Sequence, residues 1–232
     1  IAAADRTSDE LLALLDANRG RHAEARAHAE AADAVSASLD DAWLVARVAT
    51  TRAYVLGEAS SPAAALALYD RAARAYAEVG DRRREATARV NGGYALLRLG
   101  RVDEALRWLD GAVELAARAS NPHAVAAAKQ NRATALRLLG RLDEAARDAD
   151  DAARDAARLG RPRLAAAAVI ERAAVARRRG ESDAAARAEG ALQMAREAGG
   201  AGLVGPALAA LLRARHAAGE LTGEVVGDAR AV

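Results

Sequence analysis

The chain has no cysteine, no phenylalanine, a single methionine and a single lysine, Lys129, and aromatic residues make up only 3% of its 232 positions. Without cysteine it can form no disulfide, thiol nucleophile or thiolate metal site. Strand-favouring aromatic and β-branched side chains are scarce, and the 52% of residues in the hydrophobic class are mostly Ala, Leu and Val. Because Ala and Leu lead the helix-propensity scale, closely packed helices are expected rather than sheets. No apolar run approaches the roughly 20 residues that cross a bilayer. The opening IAAADRTSDE shows no signal-peptide pattern, so a cytoplasmic module is expected. A start at Ile1 rather than Met points to a piece of a longer protein.

A one-signed charge field is also lacking. The formal net charge is +2, and acids and bases alternate along the sequence, as in Arg147, Asp148, Asp150, Asp151, Arg154 and Asp155. This pattern reads as a solvated, salt-bridged helix face, not a nucleic-acid stripe or a cation site. His22 and His28 stand six apart, and His123 and His216 lie elsewhere, so no metal set emerges. Gly200-Ala-Gly202-Leu-Val-Gly205 formally matches a dinucleotide fingerprint, but it follows a helical run and lacks the preceding strand that the fingerprint requires. Nothing resembles a nucleophile elbow. No cofactor and no catalytic residue are expected, and the chain reads as a binding module rather than an enzyme.

What the sequence does have is a period of 40 residues. One turn column holds Gly20, Ser60, Gly100, Gly140 and Gly180, and half a period away another holds Gly80, Ser120, Gly160 and Gly200. Ala25, Ala65, Ala105, Ala145 and Ala185 form a small-residue column, and Ala53, Gly93, Ala133 and Ala173 form a second. Each half-period is a helix between turns, opened by Asn121 ahead of Pro122 and by Pro62, Pro162 and Pro206 at equivalent starts. Small residues on both helices let the backbones approach as a tight hairpin. Such a hairpin buries its apolar faces only against its neighbours, so the repeats must stack. Repeats are placed at about 1–40, 41–80, 81–120, 121–160 and 161–200, with a partial one at 201–232, in a single domain. The tail LTGEVVGDARAV, a poor helix former, is expected to be the least ordered part.

The stretch from Ala86 to Leu115, ATARVNGGYALLRLGRVDEALRWLDGAVEL, resembles a tetratricopeptide repeat through Asn91, Gly93, Ala95, Gly100, Asp103 to Ala105, Ala112 and Leu115. Ala126 to Asp155 repeats the match with Asn131, Ala133, Leu136, Gly140, Asp143 to Ala145 and Ala152, and weaker copies cover most of the chain. The period exceeds that family's usual 34, as in its longer-helix bacterial branch. Arg132 and Arg172 stand where Leu is usual, and Glu189 stands in place of an apolar core residue. The resemblance implies an all-α, right-handed superhelical solenoid of antiparallel helix hairpins.

It further implies a concave groove, lined by the first helix of each hairpin, that binds a peptide or partner helix. The stripes that would line it are Arg47, Thr50 and Tyr54; Thr87, Asn91, Tyr94 and Arg98; Gln130, Asn131, Thr134 and Arg137; and Glu171 and Arg178. Amides there can hold a ligand backbone, the tyrosines supply area and the arginines can meet carboxylates. The competing structural reading has Asn91 and Asn131 bonded to neighbouring backbone and the arginines paired with nearby acids. The Lys and Asn clamp of some family members is absent, its stripe reading Thr50, Val90, Gln130 and Ile170. Trp43, Trp108, Tyr69 and Tyr76 are read as packing residues. A protein or peptide partner is expected, with no nucleic acid and no membrane, and the end repeats offer surfaces for self-association. The alternative is a sensing arm of a larger kinase, ATPase, protease or transcription regulator.

Overall fold

In the computed structural model the described residues are 12–16, 21–37, 41–58, 61–199 and 201–220. They form helices and turns with no strand. After a helical segment at 12–16 come α1 (His22–Ala37), α2 (Ala42–Glu58), α3 (Pro62–Glu78), α4 (Arg82–Arg98), α5 (Val102–Arg118), α6 (Pro122–Leu138), α7 (Leu142–Arg158), α8 (Pro162–Arg179), α9 (Ala184–Glu197) and α10 (Ala201–Ala217). The tail 221–232, the turn residues Gly20, Ser60 and Gly200, and most of the opening segment lie outside the described residues. The chain divides into two compact units, Ile1–Ala124 and Val125–Val232.

The half-period turns share one mechanism. Gly80, Gly100, Gly140, Gly160 and Gly180 all have positive φ, and Ser120 takes the same left-handed conformation at φ 49. The residue after each turn then donates its N–H back to a carbonyl in the last helical turn, as Arg101 does to Leu96 at 3.0 Å and Arg141 to Leu136 at 2.9 Å. Orphan helix carbonyls are thereby satisfied and the chain reverses within three residues. At the next helix start, the Asp81 side chain accepts from the N–H of Arg84, and the Asn121 side chain accepts from that of Ala124.

In the first unit, consecutive helices from α1 to α5 pack on one another. The contacts are made by small residues: Ala46, Ala49, Ala72, Ala73 and Ala88 surround Tyr76, and Ala53 meets Ala65 and Tyr69. Gly93 carries the closest approach, because a Cβ there would lie 2.6 Å from the side chain of the fully buried Leu109. The small-residue column is therefore a steric requirement of the hairpin, met by alanine elsewhere and by glycine where the facing residue is Leu.

In the second unit, α8, α9 and α10 pack mutually around Ala173, Ala176, Ala188, Leu192 and Leu211. Here the repeat slips by one residue. One buried alanine stripe on α7 is Ala145, Ala149, Ala152 and Ala156, and its counterpart on α9 is Ala184, Ala188, Ala191 and Ala195. Each lies 39 residues on, not 40. At the same place α9 begins only at Ala184, after a turn at 182–183, and has 14 residues against 17 in α7.

Three expectations are corrected as a result. Ala184 takes the core place expected of Ala185. Glu189 is exposed and pairs with Arg215, so it replaces no core residue. The left-handed turn falls at Gly199 and again at Gly219.

Two further corrections concern polar and helix-opening residues. Pro62, Pro122 and Pro162 open helices, but Pro206 lies inside α10, which starts five residues earlier at Ala201. Gly202, at the i−4 position where the proline ring would crowd the backbone, and Gly205 share that helix, so these two glycines of the fingerprint are helical. Asp148 is not solvated. It is 7% exposed and receives Arg132 Nε at 2.6 Å and Nη2 at 2.9 Å. The arginine that replaces leucine is thus matched by a buried carboxylate, each ion compensating the other.

Candidate functional site

In the first unit, the stripe on α2 is anchored at its N-terminal end by Trp43. The guanidiniums of Arg47 and Arg84 lie over its ring at 5.3 and 4.8 Å, and its indole N–H donates to Asp81 Oδ2 at 3.0 Å. Asp81 also accepts from the Arg84 N–H at 3.0 Å and its guanidinium at 2.7 Å. Partial burial pushes the Asp81 carboxyl up, but the Trp43 and Arg84 donors outweigh it and hold the group below the usual aspartate value. One turn on, Thr50 donates to the Ala46 carbonyl and hydrogen-bonds Tyr76, whose hydroxyl burial pushes upward and Thr50 partly restores. Arg47 and Thr50 are therefore held by their own surroundings.

On α4, Thr87 donates to the Arg83 carbonyl at 3.1 Å and meets the Asn121 amide at 3.5 Å, so it belongs to the joint before α6. Val90 is buried. Tyr54, Asn91, Tyr94 and Arg98 are different. Together with Gly57, Pro62, Ala65, Tyr69 and Ala95 they line a cavity of about 110 Å³ between α2, α3 and α4. Tyr94 is 49% exposed at this cavity. The Asn91 side-chain amide is half-buried and makes no hydrogen bond with another described residue. Arg98 Nη1 donates to the Gly57 carbonyl at 2.5 Å, closing one end. The cavity wall is mostly apolar, with the Asn91 amide and the three rings of Tyr54, Tyr69 and Tyr94, which suits a small apolar side chain whose backbone can be hydrogen-bonded.

In the second unit the corresponding residues are turned toward one another. Glu171 on α8 is 7% exposed; it receives the Arg137 guanidinium through Nε and Nη2 and the Thr134 hydroxyl at 3.1 Å. Arg178 Nη1 donates to the Arg137 carbonyl at 2.6 Å. Thr134, Arg137, Glu171 and Arg178 thus bind α6 to α8. Gln130 is half-buried beside them, and Asn131 is buried.

Of the thirteen candidate residues the structure gathers Tyr54, Asn91, Tyr94 and Arg98 at one cavity and places the other nine in separate local roles. Gly57, Pro62, Ala65, Tyr69 and Ala95 were not anticipated as part of that wall. A signal existed for Tyr69: its column holds Leu109 and Ala149 in the next two repeats, so it is the aromatic exception.

No protein-family model matches the sequence, and no curated protein matches it. Solved structures do. A Rap protein complexed with competence and sporulation factor has 17% identity and a TM-score of 0.81, over 97% of this chain and 62% of that one. The Rap conjugation gene regulator of plasmid pLS20, in complex with the Phr* peptide, has 15% identity and a TM-score of 0.76, over 96% and 61%. A signal transduction ATPase with numerous domains from Pyrococcus horikoshii, with a tetratricopeptide repeat sensor, has 14% identity and a TM-score of 0.65, over 97% and 36%. The fold is that of tetratricopeptide-like helical repeats. The chain spans about six-tenths of the length of the two Rap proteins. Among the described residues no helix is long and apolar enough to cross a membrane.

Proposed function

We propose that this chain is a non-catalytic interaction module that holds a peptide or partner helix on the first-helix face of its first unit. The observation that carries the reading is the Asn91 amide, which makes no hydrogen bond with another described residue and shares a cavity wall with Tyr54 and Tyr94. An amide left without a partner beside apolar area can take a ligand's backbone N–H and C=O together, while the rings bury an adjoining side chain. The Rap structure with its Phr* peptide supports the same class of partner on a similar fold.

The test is a peptide pool selected on the full chain, with affinities of the best sequence measured by calorimetry. The double variant Asn91→Ala, Tyr94→Ala should bind at least about tenfold more weakly, the loss expected from an interfacial aromatic and a buried hydrogen bond. Undiminished affinity in a folded double variant defeats the reading.

A second reading is favoured by the archaeal ATPase, in which a fold like this one serves as a sensor and the matched segment is 36% of the whole. The chain is then the sensing arm of a larger regulator. The full reading frame decides it: an adjoining effector domain supports the sensing arm, and its absence leaves the free-standing module.

A further inference from the structure

On the side of α4 opposite Asn91 and Tyr94 there is a second and larger cleft, about 550 Å³, between α4 and α5. Its charged wall is Arg82, Glu85, Arg89, Glu114 and Arg118, with Gly111 among its apolar members. Glu85 is 3% exposed, and both its oxygens are taken: Arg82 Nη1 at 2.7 Å on one, Arg89 Nε at 3.0 Å and Nη2 at 2.9 Å on the other. The buried carboxylate acts as a bracket that holds two guanidiniums at the cleft while leaving each with unused N–H donors. Glu114 reaches Arg118 only at 3.9 Å. Three guanidiniums against two carboxylates leave one positive charge.

The repeat itself shows what is missing. Forty residues on, Arg89 corresponds to Lys129 and Gly111 to Asp151, and there the ammonium and carboxylate bond across the hairpin at 2.7 Å. In the hairpin of α4 and α5 the cation is kept and the carboxylate is deleted. A Cβ at Gly111 would meet nothing within 4 Å, so the glycine answers no packing demand. It sits mid-helix, where glycine is less favourable than alanine, and what it creates is open space beside Arg89.

We propose that this cleft binds a small organic acid whose carboxylate sits on Arg89 where the next hairpin seats Asp151, with Arg82 and Arg118 at its rim. The cleft volume is that of a small-molecule site, and planar guanidiniums suit a carboxylate. The site is independent of the peptide-binding reading, since it shares no residue with that cavity.

The test is a ¹H–¹⁵N titration of the full chain with glutarate, with glutaramide as the uncharged control. Glutarate should give a saturable shift of the Gly111 amide and the Arg89 Nε–H, and glutaramide none. Gly111→Asp supplies the absent carboxylate internally and should weaken glutarate binding at least about tenfold, the equivalent of one charge-assisted hydrogen bond. Arg118→Gln, on a side chain 72% exposed, should weaken it several-fold and serves if Gly111→Asp does not fold. The proposal is overturned if neither resonance moves with glutarate, if glutaramide moves them equally, or if the folded variants bind as the wild type does.

Discussion

Arg178 donates from its guanidinium to the backbone carbonyl of Arg137, 41 residues earlier, and Arg98 makes the same bond to Gly57 across the same interval. In both units an arginine near the end of one first helix caps the carbonyl end of the preceding first helix. A cation at that end also meets the negative pole of the helix dipole. The period of the sequence is thus expressed as a repeated hydrogen bond between neighbouring hairpins.

Removing that bond should cost stability in small, measurable amounts. Arg178→Ala is expected to destabilise by about 1 kcal/mol, because the side chain is exposed and the freed carbonyl can be partly rewetted. Urea unfolding of variant and wild type measures it, and Arg178→Lys should recover only part because the ammonium lacks the planar fork.

Two mid-helix glycines should respond in opposite directions to the same substitution. Gly93→Ala forces a methyl to within 2.6 Å of the fully buried Leu109 side chain, and should cost about 1–3 kcal/mol. Gly190→Ala, with nothing within 4 Å, should stabilise by up to about 1 kcal/mol through helix propensity alone. Thermal melts of the two variants settle the contrast.

The Glu171 cluster should behave as a unit. Glu171→Ala leaves Arg137 largely buried without its carboxylate, and a loss of about 3–5 kcal/mol is expected. Arg137→Ala with Glu171→Ala should cost less than the sum of the singles, and a double-mutant cycle yielding no coupling would show that the two side chains do not pair in solution.

Acid should loosen the joint between α2 and α4. The Asp81 carboxyl is held below its ordinary value of 3.8 in the folded chain, so it binds a proton less readily folded than unfolded. Its contribution to stability is therefore complete above the unfolded value and disappears as pH falls through the lower folded one. Unfolding midpoints followed between about pH 6 and pH 2 by tryptophan fluorescence should show a steeper acid loss in the wild type than in Asp81→Asn.

The hairpins and their spacing could be read from the turn columns because a left-handed residue is a local requirement and glycine meets it without cost. The one-residue slip at α9 could not. Ala184, Ala185 and Ala186 are interchangeable in sequence, as are Gly199 and Gly200, so either register satisfies the pattern and only packing selects between them. Charged positions fail for a related reason. Asp148 and Glu85 resemble their solvated neighbours in sequence, and their burial depends on arginines brought to them: Arg132, sixteen residues away, and Arg82 and Arg89 on adjacent turns. The cavity at Asn91 was half legible, since the first-helix stripe indicates Tyr54, Asn91, Tyr94 and Arg98 but not the floor built by Pro62, Ala65 and Tyr69 from the next helix.

The pairing of Lys129 with Asp151 has a practical side. Lys129 is the chain's one side-chain amine, and a carboxylate from the facing helix holds it at 2.7 Å. An acylating reagent aimed at lysine therefore finds its target on this protein occupied while α6 and α7 stay closed. The rate at which Lys129 takes up such a label therefore reports how often this one ion pair breaks.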